Sequence, residues 1–271
     1  MTRTVFYVSD GTGITAETIG NTILTQFGDV QFETYRLPFV DSVERAREVA
    51  QQVRDQGGED RTRPILISSI IDPAINAALA DSGALMLDVF APFMTPLEEE
   101  LGTSRSPRVG RAHGMIDYSR YEARIDATNY ALSHDDGINI NYKDAEVILV
   151  GVSRSGKTPT CLYLALHFGI RAGNYPLTEE DLDKQELPKH LVAFRERLFG
   201  LTIDPQRLAQ VRETRRPGSR YATLEQCRQE VAAAEKLIRA ERLPMVSTTH
   251  SSIEEIGSKI LKTLNIHRHM F

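Results

Sequence analysis

Residues 151–158 read Gly151-Val152-Ser153-Arg154-Ser155-Gly156-Lys157-Thr158, matching the spacing G-x-x-x-x-G-K-[ST] at every position. Each residue type there has a chemical reason. Gly151 and Gly156 allow a tight turn in which consecutive N–H groups point inward at phosphate oxygens. A helix opening near Gly156 adds unsatisfied donors and the positive end of its dipole. The Lys157 ammonium would reach the terminal phosphates of a nucleotide, and the Thr158 hydroxyl would coordinate Mg²⁺. Pro159 falls in the first helical turn, where its missing N–H costs little. The apolar strand VILV leads into the octapeptide and a helical apolar pattern leads out, so the context agrees with the spacing.

Phosphate loops serve several chemistries. No [NT]KxD or DxxG motif follows the loop, an ABC signature is absent, and so is the HRD/DFG set of eukaryotic-type protein kinases. A kinase-like use remains, in which the loop presents a phosphoryl group to an acceptor. Asp204, at the end of LFGLTID, stands where a carboxylate could hold Mg²⁺ or orient the acceptor. Asp204-Pro205 is equally a plain helix start. Arg212, Arg215, Arg216 and Arg220 cluster in VRETRRPGSRY and could close over equatorial phosphoryl oxygens, Arg220 foremost; a solvated charged turn reads the same.

These residues need elements to hold them. TVFYVSD (4–10), VQFETYRL (30–37), RPILISSI (63–70) and LMLDVF (85–90) have strand patterns, each followed by a helical one. Ile14, Ile19, Ile23, Leu24 and Phe27 supply the apolar spacing of the first helix, Asp41 with Glu44 suggests a capping box on the second, and Asp72-Pro73 opens the third. Four strand–helix units in succession predict a doubly wound parallel α/β domain over residues 1–104. Residues 105–144 break the rhythm with a Ser-, Pro-, Gly- and Arg-rich loop and one helix ending near Gly137, and read as a connector. Residues 145–271 form a second α/β domain of kinase-like type around the phosphate loop. Its last two helices are expected to be capped by Thr223 with Gln226 and by Ser251 with Glu254.

In the first domain, SDGTG (9–13) sits where strand one becomes helix one, the usual ligand crevice of a parallel sheet. Ser9, Thr12 and the backbone near Gly11 and Gly13 could hold an anion, and Asp10 could exchange a proton. The spacing is not GxGxxG, and an ordinary capped turn looks alike. In the connector, His134-Asp135-Asp136-Gly137 resembles an acid/base or metal cluster but reads more simply as a helix end and turn. His113 is a further catalytic candidate.

The chain has 271 residues, 41% hydrophobic and 25% charged, ordinary figures for a globular protein of two domains. Its 32 basic and 37 acidic residues leave a net charge of −5, against general nucleic-acid binding. Cys161 and Cys227 form no CxxC pair and fit two reduced buried thiols. No stretch approaches the roughly 18 consecutive apolar residues of a membrane span, and the N-terminus lacks signal-peptide architecture. A cytoplasmic protein is expected.

VFYVSDGTGITAET, YALSHDDG, GVSRSGKTPT, FGIRAGNYPLT, LFGLTIDPQRL, SRYATLEQC and STTHSSIEEIGSKIL, in that order along nearly the whole chain, resemble the bacterial phosphoenolpyruvate synthase regulatory proteins. Close relatives of that family regulate pyruvate, phosphate dikinase. The octapeptide agrees residue by residue, with Ser155 where many relatives carry Cys or Thr. The resemblance implies a bifunctional enzyme. It would move the β-phosphate of ADP to a threonine of the synthase, inactivating it, and would use inorganic phosphate to remove that group as pyrophosphate. The partner would be phosphoenolpyruvate synthase or pyruvate, phosphate dikinase, docked through the first domain and Arg105, Arg108, Arg111, Arg120 and Arg124. Lys157, Asp204, Arg220 and Asp10 would carry catalysis. A small-molecule kinase and a non-catalytic ADP sensor stay open as alternatives, as does the oligomeric state, a homodimer included.

Overall fold

The computed structural model describes residues 2–56, 62–104 and 118–266, with backbone alone at 118–120. The chain forms two compact units, Met1–Met115 and Ile116–Phe271.

The first unit contains β1 (Thr2–Val8), α1 (Ile14–Leu24), β2 (Gln31–Leu37), α2 (Val43–Gln56), β3 (Ile65–Ser68), α3 (Pro73–Ala80), β4 (Leu85–Asp88) and α4 (Ala91–Leu101). Its four parallel strands lie in the order β2-β1-β3-β4. Alternation along β1 splits the core in two. Phe6 and Val8 face Val49, Val53 and Leu79 of α2 and α3, whereas Val5 and Tyr7 face Ala16 and Leu24 of α1. Both faces of the sheet are therefore covered, as parallel sheets require.

Helix α1 buries only part of its expected apolar spacing: Leu24 is buried and Ile19 packs against the same cluster, whereas Ile14, Ile23 and Phe27 are exposed and Ala16 and Gly20 complete the buried face. A Cβ on Gly20 would sit 2.5 Å from Tyr7 Cε1, so only glycine allows this close approach to the sheet. The Tyr7 hydroxyl then donates to Asn21 Oδ1 at 2.6 Å.

The second unit begins with α5 (Tyr118–Ser133) and a 3₁₀ turn at Asp135–Gly137. It continues with β5 (Val147–Gly151), α6 (Lys157–Phe168), β6 (Ala172–Pro176), α7 (Glu179–Lys184) and α8 (Lys189–Val192). Then come β7 (Leu198–Thr202), α9 (Pro205–Arg215), α10 (Leu224–Ala240), β8 (Met245–Ser247) and α11 (Ile253–Thr263). The parallel strand order is β6-β5-β7-β8. Val147, Leu149, Phe199 and Leu201 pack on α5, α6 and α11, and Ile148, Val150 and Leu198 pack toward Leu191 and Ile238 of α8 and α10.

Helix α5 belongs to this unit rather than to a connector: Ala127 and Ala131 are buried against Cys161, Leu164 and Phe168. Of the adjacent Asp41 and Ser42 that open α2, Ser42 is the cap, accepting from Arg45 N at 3.3 Å. Ser252 and Glu255, not Ser251 and Glu254, form the box on α11. Thr223 caps α10 with Gln226 as expected.

Candidate active site at the strand β5–helix α6 turn

Strand β5 is buried along its whole length and ends at Gly151. A Cβ on Gly151 would overlap the Leu201 carbonyl oxygen of neighbouring β7, so the turn can leave the sheet there only as glycine. Arg154 and Gly156 adopt positive φ, 75° and 89°, and reverse the chain into α6. No side chain caps α6; its first amides, which no intrahelical carbonyl can reach, open toward the turn.

The interior of the turn is polar, buried and under-satisfied. Ser155 is 0% exposed, and its hydroxyl has no hydrogen-bond partner among the described residues. Lys157 is 3% exposed, with Nζ donating to Val152 O at 2.9 Å. Burial lowers the Lys157 pKa to about 8, opposed by the charges of Asp136 and Asp135. A buried ammonium and an unpartnered hydroxyl beside the uncapped first turn of α6 suit an anionic oxygen cluster.

Three other segments hold the turn from outside. The buried Arg212 of α9 donates through Nη2 to Ser153 O at 3.1 Å and pairs with Glu230 at 2.6 Å. The Tyr221 hydroxyl donates to Ser153 Oγ at 2.9 Å, and the Arg212 guanidinium lies 3.9 Å from the Tyr221 ring centre. After β8, the Thr248 hydroxyl lies 3.1 Å from Ser155 O and 3.2 Å from Thr202 O, within donating distance of both. Val152 is anchored in the core beside Ile203 and Leu208.

The fourth contact comes from the HDDG segment. Thr158 Oγ1 donates to Asp135 Oδ1 at 2.7 Å, and Asn174 Nδ2 donates to the same oxygen. Asp136 has φ 48°, ψ 31°, and its N–H donates to Asn174 Oδ1 at 3.0 Å. The turn is thus more than a helix end. His134 is buried, with Nε2 at 3.1 Å from Asn141 O and its ring stacked 3.8 Å from that of Tyr130.

The remaining candidates are placed as follows. Asp204 caps α9: its Oδ1 accepts from Arg207 N at 3.0 Å, and its own N–H donates to Thr249 Oγ1 at 2.8 Å. It borders a cleft of about 360 Å³ shared with Glu235, Ser247 and His250. Arg220 is exposed in a 3₁₀ turn, next to the Tyr221 that reaches the loop. Arg215 and Arg216 are exposed; Arg212 is not part of an exposed cluster. Asp10 is half-buried in the first unit, in a bend where Ser9 Oγ accepts from Gly11 N at 3.1 Å. Arg124 is exposed on α5. Arg105, Arg108, Arg111, His113 and the Arg120 side chain lie outside the described residues. Both cysteines are free and buried. No described helix is long and apolar enough to cross a membrane.

Two parallel α/β units, one with a lysine-bearing glycine turn of phosphate-loop spacing at the carboxyl edge of its sheet, define the class of the protein as two-domain α/β. A family model described as kinase/pyrophosphorylase matches residues 5–261, and the chain belongs to that family. It is 60% identical over 269 residues, 99% of this chain and 98% of the relative, to a protein of Xanthomonas oryzae pv. oryzae (strain MAFF 311018) named "Putative phosphoenolpyruvate synthase regulatory protein". A protein of the same name from Stenotrophomonas maltophilia (strain K279a) shows the same identity and coverage.

Proposed function

We propose that this chain regulates phosphoenolpyruvate synthase in the cytoplasm as an ADP-dependent protein-threonine kinase and a phosphate-dependent pyrophosphorylase. The observation that carries the reading is the interior of the β5–α6 turn, where Lys157 is buried and the buried Ser155 hydroxyl has no hydrogen-bond partner among the described residues. The family and the relatives' names support the regulatory role and the target.

In the forward reaction the threonine Oγ of the target bonds to the β-phosphorus of ADP. The bond from that phosphorus to the bridging oxygen breaks, AMP leaves with the oxygen, and the threonine proton passes to a base. In the reverse direction an oxygen of inorganic phosphate bonds to the phosphorus of phosphothreonine, the Oγ–P bond breaks, the proton of the hydrogen phosphate passes to Oγ, and pyrophosphate leaves. Loop amides, Ser155 and Lys157 would hold the diphosphate and stabilise the charge of the migrating group. Arg220 would approach from the solvent side, and Asp204 and Asp10 are the acid/base candidates.

The oxygen donors at the mouth of the loop, Thr158 and Asp135, fit Mg²⁺. Among the described residues no three metal-binding side chains converge. That suits a cation that keeps waters and is shared with phosphate oxygens. When bound, it would neutralise charge on the diphosphate.

The test is to incubate the protein with purified synthase and ADP labelled in the β-phosphate. Label on a synthase threonine, with AMP formed, is the expected result. Label on a small molecule would show a metabolite kinase instead, and no transfer despite ADP binding would show a sensor. The ionisation of Lys157 adds a second expectation. The protonated form binds the anion, so ADP affinity should hold up to about pH 8 and fall about tenfold per pH unit above it. Calorimetry across that range would check this, and a pH-independent affinity would remove Lys157 from the diphosphate site.

A further inference from the structure

The structure assigns to Asp135 the task of orienting the Thr158 hydroxyl toward the divalent cation of a bound nucleoside diphosphate, with Asn174 fixing Asp135 in place. This rests on the functional reading above and adds to it a positioning residue that lies upstream of the loop.

A threonine hydroxyl has one proton and two lone pairs. Within a helix that proton usually goes back to the carbonyl four residues earlier. Thr160 behaves so, donating to Gly156 O at 2.9 Å. Thr158, two residues before it in the same helix, instead donates to Asp135 Oδ1 at 2.7 Å. With its proton committed to a carboxylate, Thr158 Oγ1 keeps its lone pairs free for a cation. In other phosphate-loop proteins the cation is held by the loop Ser/Thr together with an aspartate from a second segment. Here it comes from a 3₁₀ turn that precedes β5.

Asp135 is firmly held. Asn174 lies on β6 opposite Leu149 of β5 and is fully buried. Its Oδ1 accepts from Asp136 N, so its Nδ2 must face Asp135 Oδ1. Its main chain is tied at both ends, by Asn174 N to His134 O at 3.1 Å and by the Tyr142 hydroxyl to Asn174 O at 3.0 Å. Asp136 accepts a left-handed backbone, disfavoured for a non-glycine residue, to complete this arrangement.

The experiment measures ADP affinity by calorimetry, with Mg²⁺ and with chelator, together with Mn²⁺ binding by electron paramagnetic resonance in the presence of ADP. The proteins are wild type, Asp135→Asn, Asp135→Ala and Thr158→Val, each checked by thermal melting. The wild type should bind ADP about tenfold or more tightly with Mg²⁺. The Asp135 variants should keep or improve metal-free affinity, because a repelling charge is gone, while the gain from Mg²⁺ falls below about threefold and the Mn²⁺ signal is lost. Thr158→Val should show the same loss and decides the matter should an Asp135 variant fail to fold. Full Mg²⁺ enhancement in a folded variant, or a wild type that binds ADP equally with and without metal, overturns this inference alone. A wild type that binds no ADP under either condition overturns the functional reading beneath it.

Discussion

Lys157→Met is expected to cut phosphoryl transfer about a thousandfold or more, while the protein becomes no less stable than the wild type. The activity loss follows from removing the one buried cation inside the loop, where a preorganised charge is worth several kcal/mol to a migrating phosphoryl group. The stability argument runs the other way. Burial holds the Lys157 pKa at about 8 against a usual 10.5, which at neutral pH is a penalty of about 3 kcal/mol for keeping the ammonium in the fold. Methionine fills similar space without charge, and the lost bond to Val152 O returns only about 1–2 kcal/mol. The folded pKa is the lower one, so the penalty is full below about pH 8 and fades as pH rises toward 10.5. Wild-type stability should therefore climb over that window and the variant's should not. Denaturant melts at several pH values, beside β-phosphate transfer assays, check both halves. A folded variant with wild-type turnover would remove Lys157 from the chemistry.

Arg212→Met is expected to do the opposite, damaging the fold first. Arg212 is 0% exposed and pairs at 2.6 Å with Glu230, itself 14% exposed. Its guanidinium also donates to Ser153 O and Tyr221 O, both at 3.1 Å. Removing one partner of a buried pair costs about 3–5 kcal/mol, because the other charge stays behind unpaired. The double variant Arg212→Met/Glu230→Leu should recover more than half of that loss, since an apolar pair of similar volume has no charge to desolvate. Urea denaturation of the two proteins decides it. The double variant should still bind ADP more weakly, with the Ser153 carbonyl and Tyr221 released from the loop. A single variant within about 1 kcal/mol of wild type would show that the pair does not brace the loop.

These predictions also mark where the sequence was readable. The octapeptide at 151–158 is contiguous, its neighbours are a buried strand and a helix, and every position has a local reason, so local rules suffice. The two parallel sheets follow from strand–helix alternation in the same way. Asp135 could not be found like this. It meets Thr158 across 23 residues through a 3₁₀ turn, and within its own segment it looks like an ordinary helix terminus. Arg212 looks the same in sequence as Arg215 and Arg216, yet Glu230 and the Tyr221 ring draw only that one inward. Asp204 had two equal readings, and the bond from Arg207 N shows its carboxylate engaged as a cap. In helix α1 the large apolar residues mark the buried face only at Ile19 and Leu24, while Ile14, Ile23 and Phe27 stay exposed. Here Gly20 and Ala16 win, because small residues let the helix settle closer to Tyr7. The cap at Ser252 lies one residue from the expected one because adjacent serines and acids offer several registers.

The two sheets share one plan, β2-β1-β3-β4 in the first unit and β6-β5-β7-β8 in the second. SDGTG and the octapeptide therefore occupy the same topological station, after the strand whose two neighbours, both later in the chain, lie on opposite sides of it in the sheet. Gly13 precedes its helix at φ 84° much as Gly156 does at 89°. The molecule reads as one blueprint drafted twice, with an ammonium installed in only one copy. The difference between the two stations lies in a few loop residues, Asp10 in one and Lys157 in the other, rather than in a new fold.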